Sequence, residues 1–76
     1  MKSRELKAFN QLLAIGAPVQ EWNNDTFSIS AESNYDTVWA DAYSDFYMNP
    51  KIVAILQANK LDYEWHDMGT AYAHRA

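Results

Sequence analysis

His66, Asp67 and His74, with Glu64 nearby, are the residues whose types could hold a metal ion, because imidazole and carboxylate ligands suit zinc or manganese. Their spacing does not follow H-E-x-x-H, which sets two imidazoles one helical turn apart, and with no cysteine in the chain a C-x-x-C site is excluded. On a strand over residues 61–68, Glu64 and His66 share a face, and His74 reaches them only if the chain turns back after Asp67. Surface histidines are the expected outcome, with no metal and no cofactor. A small metal-dependent enzyme using His66 and His74 stands as the second alternative.

Paired carboxylates for acid–base work can be drawn from Asp41 with Asp45, or Asp62 with Glu64. Such chemistry needs a pocket that shifts their pKa values, and a chain of 76 residues seldom encloses one. The only glycines are Gly16 and Gly69, so no phosphate loop is present, and Ser28, Ser30 and Ser44 have no base close in sequence. The chain is expected not to be an enzyme.

The densest chemistry lies in "YDTVWADAYSDFYM", Tyr35 to Met48, which mixes aromatics with aspartates and has no basic residue. Between Lys7 and Lys51 there is no lysine or arginine, while Glu21, Asp25, Glu32, Asp36, Asp41 and Asp45 all fall inside. Aromatics can stack on single-stranded bases, but such platforms sit in positively charged grooves. With a net charge of −4, direct nucleic-acid binding is not expected. Carboxylates interleaved with tyrosine and tryptophan instead suit a basic protein surface, such as the groove where a nucleic-acid-handling complex would hold phosphates. The expected partner-binding residues are Glu21, Asp25, Glu32, Asp36, Trp39, Asp41, Tyr43, Asp45 and Tyr47. The commoner fate of such aromatics is core, with the aspartates a solvated edge.

The elements that must position these residues can be read in turn. Ser3 can cap a helix in which Leu6, Phe9, Leu12 and Leu13 form the apolar stripe, running to about Ile15 and stopped by Gly16 and Pro18. Val19–Trp22 and Thr26–Ala31 read as a hairpin around Asn23, Asn24 and Asp25, followed by a second turn over Glu32–Asp36. Asn49 and Pro50 open a second helix with Ile52, Ile55 and Leu56 on its apolar face, ending near Asn59 and Lys60. From Leu61 the period becomes two, with Leu61, Tyr63 and Trp65 on one side and Asp62, Glu64 and His66 on the other. Residues 66–70 either turn this strand back onto Thr70–Arg75 or carry a bulge at Gly69 in one long strand.

The middle is ambiguous. As a strand, Thr37–Tyr43 buries Val38, Ala40 and Ala42 and turns Trp39, Asp41 and Tyr43 outward, with residues 44–47 as a turn or helical lead-in. As a helix, it aligns Tyr35, Trp39, Tyr43, Phe46 and Tyr47 on one face. The β-branched and aromatic start favours the strand.

The fold expected is α+β: one small domain, residues 1–76, with an antiparallel sheet of three to five strands and two helices packed on one face, in the order α-β-β-β-α-β. The other sheet face would be open, with Trp39, Asp41 and Tyr43 on it. There is no apolar run of membrane-spanning length, and the N-terminal residues do not read as a secretory signal, so a cytoplasmic protein with no membrane contact is expected. In composition the chain is similar to small acidic accessory proteins of phages and mobile elements that bind and block a host machine. An interaction module acting as an inhibitor by partial nucleic-acid mimicry is the leading expectation. A self-associating subunit, a homodimer through the open sheet face, is the alternative.

Overall fold

The computed structural model describes residues 1–32 and 36–76. Its elements are α1 (Ser3–Ala14), β1 (Val19–Glu21), β2 (Phe27–Ser30), β3 (Ala40–Asp41), β4 (Tyr47–Met48), α2 (Pro50–Ala58), β5 (Leu61–Asp67) and β6 (Thr70–Arg75). Strands β1, β2, β6 and β5 form an antiparallel sheet in that spatial order, and β3 with β4 forms a separate hairpin. The expected α+β architecture and element order hold. The third strand is doubled into the β3–β4 hairpin and the last into the β5–β6 hairpin.

Strand alternation sorts the sheet into two faces. Phe27 and Ile29 of β2, Ala71 and Ala73 of β6 and Leu61 of β5 share a buried cluster with Ala8 and Leu12 of α1 and Ile52 and Leu56 of α2. Both helices therefore cover one face. The opposite face carries Gln20, Ser28, Tyr72 and Glu64 in one cross-strand row.

Helix α1 stops as its sequence implies: Gly16 adopts φ 82°, and its N–H and that of Ala17 donate to the carbonyls of Leu13 and Leu12. Its start and its phase differ from expectation. Lys2, not Ser3, is the N-cap and offers no side-chain cap bond. The buried stripe is Glu5, Ala8 and Leu12, with Phe9 partly buried against the core, while Leu6 and Leu13 are 45% and 48% exposed. The cause is distant in sequence. Arg75, at the end of β6, holds the buried Glu5 carboxylate with Nε–Oε2 3.0 Å and a second guanidinium nitrogen 3.3 Å from Oε1, and this fork draws the Glu5 side of the helix inward.

Helix α2 begins with Asn49 as a side-chain cap, its Oδ1 accepting from Lys51 N at 2.9 Å, with Pro50 at the first helical position. It ends at Asn59, followed by Lys60 at φ 58°. The β1–β2 hairpin is as expected, with Asn23 Oδ1 accepting from the N–H groups of Asp25 and Thr26. Strands β5 and β6 form a hairpin in which Gly69 N donates to Asp67 Oδ1; the register slips between Trp65 and Asp67, so the bulged residue is His66, not Gly69.

The middle is neither the long strand nor the helix. Only Ala40 and Asp41 pair, with Met48 and Tyr47. Asp41 ends the strand, since Oδ1 accepts from Tyr43 N at 3.0 Å and Oδ2 from Ser44 Oγ at 2.9 Å, which closes a turn at once. The turn expected over residues 32–36 and the Tyr35 end of the helical stripe lie largely outside the described residues.

Candidate functional site

The β3–β4 hairpin gathers four of the nine expected partner-binding residues: Asp41, Tyr43, Asp45 and Tyr47. Tyr43 stands at the tip, 85% exposed, with Phe46 and Tyr47 exposed beside it. The base is anchored. Asn49 N donates to Trp39 O at 2.8 Å and Asn49 Nδ2 to Val38 O at 3.1 Å, so the residue that caps α2 also clamps the hairpin.

Trp39 corrects the expected surface. It is only 7% exposed and belongs to the core, while Val38, expected to be buried, is exposed. An indole removes far more apolar area from water than an isopropyl group, so where the chain can bury one of two neighbours, tryptophan goes in. The expected aromatic surface of Trp39, Asp41 and Tyr43 on an open sheet face therefore does not form. Its residues sit on a hairpin outside the main sheet.

The hairpin tip has a costly backbone. Asp45 and Phe46 adopt φ 56° and 55°, a left-handed pair in a turn that favours glycine or asparagine. Phe46 is held there by its ring, which meets Trp65 edge-on with centroids 5.4 Å apart. Sequence reasoning left Phe46 out of the candidate set. The omission has a plain cause, because nothing local announces a phenylalanine in left-handed conformation.

The remaining candidates are spread out. Glu21 and Asp25 are exposed at the β1–β2 hairpin, Asp36 is exposed beyond the undescribed residues, and the Glu32 side chain lies against Gly69, where a β-carbon would come within 2.7 Å of it. Charge is segregated by layer. Of the ten carboxylate side chains only Glu5 lies on a helix, whereas Lys2, Arg4, Lys7, Lys51 and Lys60 lie on or beside α1 and α2.

The open sheet face is occupied by a second aromatic group that sequence reasoning did not assemble. The Trp22 ring stacks on Tyr72, 6.0 Å between centroids and 7° from parallel, and meets His66 edge-on at 4.8 Å. Ser28, between Gln20 and Tyr72 on this face, is buried although no helix covers it. Tyr72 Oη donates to Glu64 Oε2 at 2.5 Å. That hydrogen bond and the carboxylate charge hold the phenol pKa above its usual value, because both favour the protonated form.

His74 pairs across from Asp62, and its ring lies 6.3 Å from that of Tyr72, while His66 sits in the bulge at the other end of β5 with Asp67 3.9 Å away. Among the described residues no three histidine, aspartate or glutamate side chains converge as metal ligands would. Among the described residues no helix is long and apolar enough to cross a membrane. No protein-family model, no curated protein and no solved structure matches this chain.

Proposed function

We propose that this chain is a non-enzymatic interaction module whose β3–β4 hairpin binds a basic protein surface. The observation that carries the reading is Tyr43, 85% exposed between Asp41 and Asp45, with Phe46 and Tyr47 beside it on a strained turn. Exposed aromatics at a fixed position are effective anchors once desolvated, and backbone strain concentrates where a side chain must be presented. The carboxylates around them favour lysine and arginine and repel nucleic acid. A partner that itself handles nucleic acid fits this chemistry, with the hairpin and the acidic loops occupying part of a phosphate-binding groove. The protein then acts as an inhibitor by competition, in the manner of phage and mobile-element accessory proteins, and works in the cytoplasm.

The test is fluorescence anisotropy of a labelled arginine-rich peptide. The protein is expected to bind it with an affinity that falls as salt rises, and Tyr43→Ala with Asp45→Asn to weaken binding about tenfold or more. Asparagine keeps the left-handed backbone accessible, so the variant tests charge and ring rather than folding. Equal binding by a variant with an unchanged melting curve overturns the reading.

A further inference from the structure

Helix α1 buries Glu5, Ala8 and Leu12 and leaves Leu6 and Leu13 half exposed. Leu6 and Leu13 are seven residues apart, hence on one ridge of the helix, with Lys2 one turn before Leu6. Asn10 sits beside the two leucines, and the start of the helix is basic, with Lys2 and Lys7 exposed. Neither leucine belongs to the core cluster among the described residues. The Glu5–Arg75 fork has turned the neighbouring stripe of Glu5, Ala8 and Leu12 inward and left the two leucines at the flank.

The hairpin tip is its counterpart: Tyr43, Phe46 and Tyr47 are exposed and apolar, with Asp45 among them and no basic residue anywhere between Lys7 and Lys51. One surface pairs leucine with lysine, the other tyrosine with aspartate. Both are exposed on the same molecule, and their charges are opposite.

We propose that the protein associates with itself, the hairpin tip of one copy seating on the Lys2–Leu6–Leu13 ridge of α1 of another. The inference rests on the reading of the hairpin as a binding surface and gives it a second occupant. The two patches differ, so the contact is heterologous in kind and builds chains or rings unless two copies can engage reciprocally. Both patches are small, which makes the contact weak, populated at high protein concentration and reduced by salt. Self-association and capture of a basic partner then compete for one hairpin, so dilution or partner binding releases the monomer.

Sedimentation velocity on the full chain tests this with two variants. Tyr43→Ala with Asp45→Asn removes the hairpin surface, and Lys2→Glu with Leu6→Ser removes the ridge; all four positions are exposed, and melting curves check the fold. The unaltered protein is expected to sediment faster with rising concentration across the micromolar range at low salt and to return to monomer at high salt. Each variant alone is expected to stay monomeric. An equimolar mixture is expected to form a complex, because each variant retains the surface the other lacks.

A wild-type protein that remains monomeric throughout overturns the proposal, as does a mixture that does not associate. Self-association that survives in either variant overturns it too, and points to another surface such as the open sheet face. Anisotropy with the arginine-rich peptide separates this failure from that of the functional reading. The ridge variant retains peptide binding if the hairpin is a binding surface, and loss of both activities in the unaltered protein removes both ideas.

Discussion

Phe46 holds a left-handed backbone, φ 55°, while its ring lies edge-on to Trp65 with centroids 5.4 Å apart. A non-glycine residue in this region costs about 1–2 kcal/mol, and Asp45 before it sits at φ 56°. The edge-on contact returns about 0.5–1.5 kcal/mol beyond the area it buries. The turn is thus poised between strain and packing. Asp45→Gly is expected to raise stability by about 0.5 kcal/mol, the relief of the β-carbon less the entropy of glycine. Phe46→Ala is expected to lower it by about 1–2 kcal/mol, because the strain stays and the ring contact goes. Urea denaturation of both variants measures the two signs; a destabilising Asp45→Gly would show that the aspartate side chain supports the turn.

Glu5 and Arg75 give the fold an acid limit. The guanidinium hydrogen bond, aided by its charge, holds the Glu5 carboxyl below its ordinary value of 4.5 against the opposing effect of burial. A depressed folded-state pKa means that the stabilisation is fully present above the unfolded value and is lost as pH falls through the folded one. Stability is therefore expected to decline below about pH 4.5. Glu5→Gln is expected to flatten that decline and to lower stability near neutrality by about 1–2 kcal/mol, less than for a fully buried pair because water screens the half-exposed Arg75. Thermal melts of both proteins between acid and neutral pH show it. Parallel pH profiles would contradict the assignment.

Asn49 serves two elements at once. Its Oδ1 caps α2 and its Nδ2 donates to Val38 O at 3.1 Å, in a side chain that is almost wholly buried. Asn49→Ala is expected to cost about 2–3 kcal/mol, a cap plus an orphaned carbonyl. Asn49→Asp retains the cap but cannot donate to Val38, and is expected to fall between. Denaturant midpoints for the two variants test the order.

Much of this was legible in the sequence where the cause is local. Gly16 with Pro18 ends one helix, Asn49 with Pro50 begins the next, Asn23 turns the first hairpin, and the alternation from Leu61 sorts the faces of β5. What was not legible depends on partners far along the chain. The rotation of α1 is set by a residue 70 positions away, and the clustering of Trp22 with Tyr72 and His66 depends on β6 pairing with β2, which no local pattern specifies. The alternation over residues 37–43 reads as one strand but hides a turn closed by the Asp41 side chain. The acidic block was visible in the sequence, but which of its aromatics face outward depended on packing: Trp39 is buried and Tyr43 and Tyr47 are exposed.

Trp22 covers the sheet face that the helices leave bare. Trp22→Ala is expected to cost about 2–3 kcal/mol, since it removes the stack on Tyr72 and the edge-on contact with His66. Ultraviolet titration of the phenols adds a separate check. Tyr72 is expected to ionise above the ordinary value of 10.0, and Glu64→Gln to bring it back down, because the neutral amide no longer disfavours the phenolate. A tyrosine titration unchanged by Glu64→Gln would contradict the bond between them.

The β3–β4 hairpin is proposed as the surface this protein uses to hold basic partners. Backbone amide shifts of isotope-labelled protein, followed while an arginine-rich peptide is added at low salt, test it most directly. The changing resonances are expected to concentrate at residues 41–47, and those of Gln20, Ser28 and Thr70 on the open sheet face to stay still. Shifts centred on that face, or none in the hairpin at saturating peptide, would contradict it.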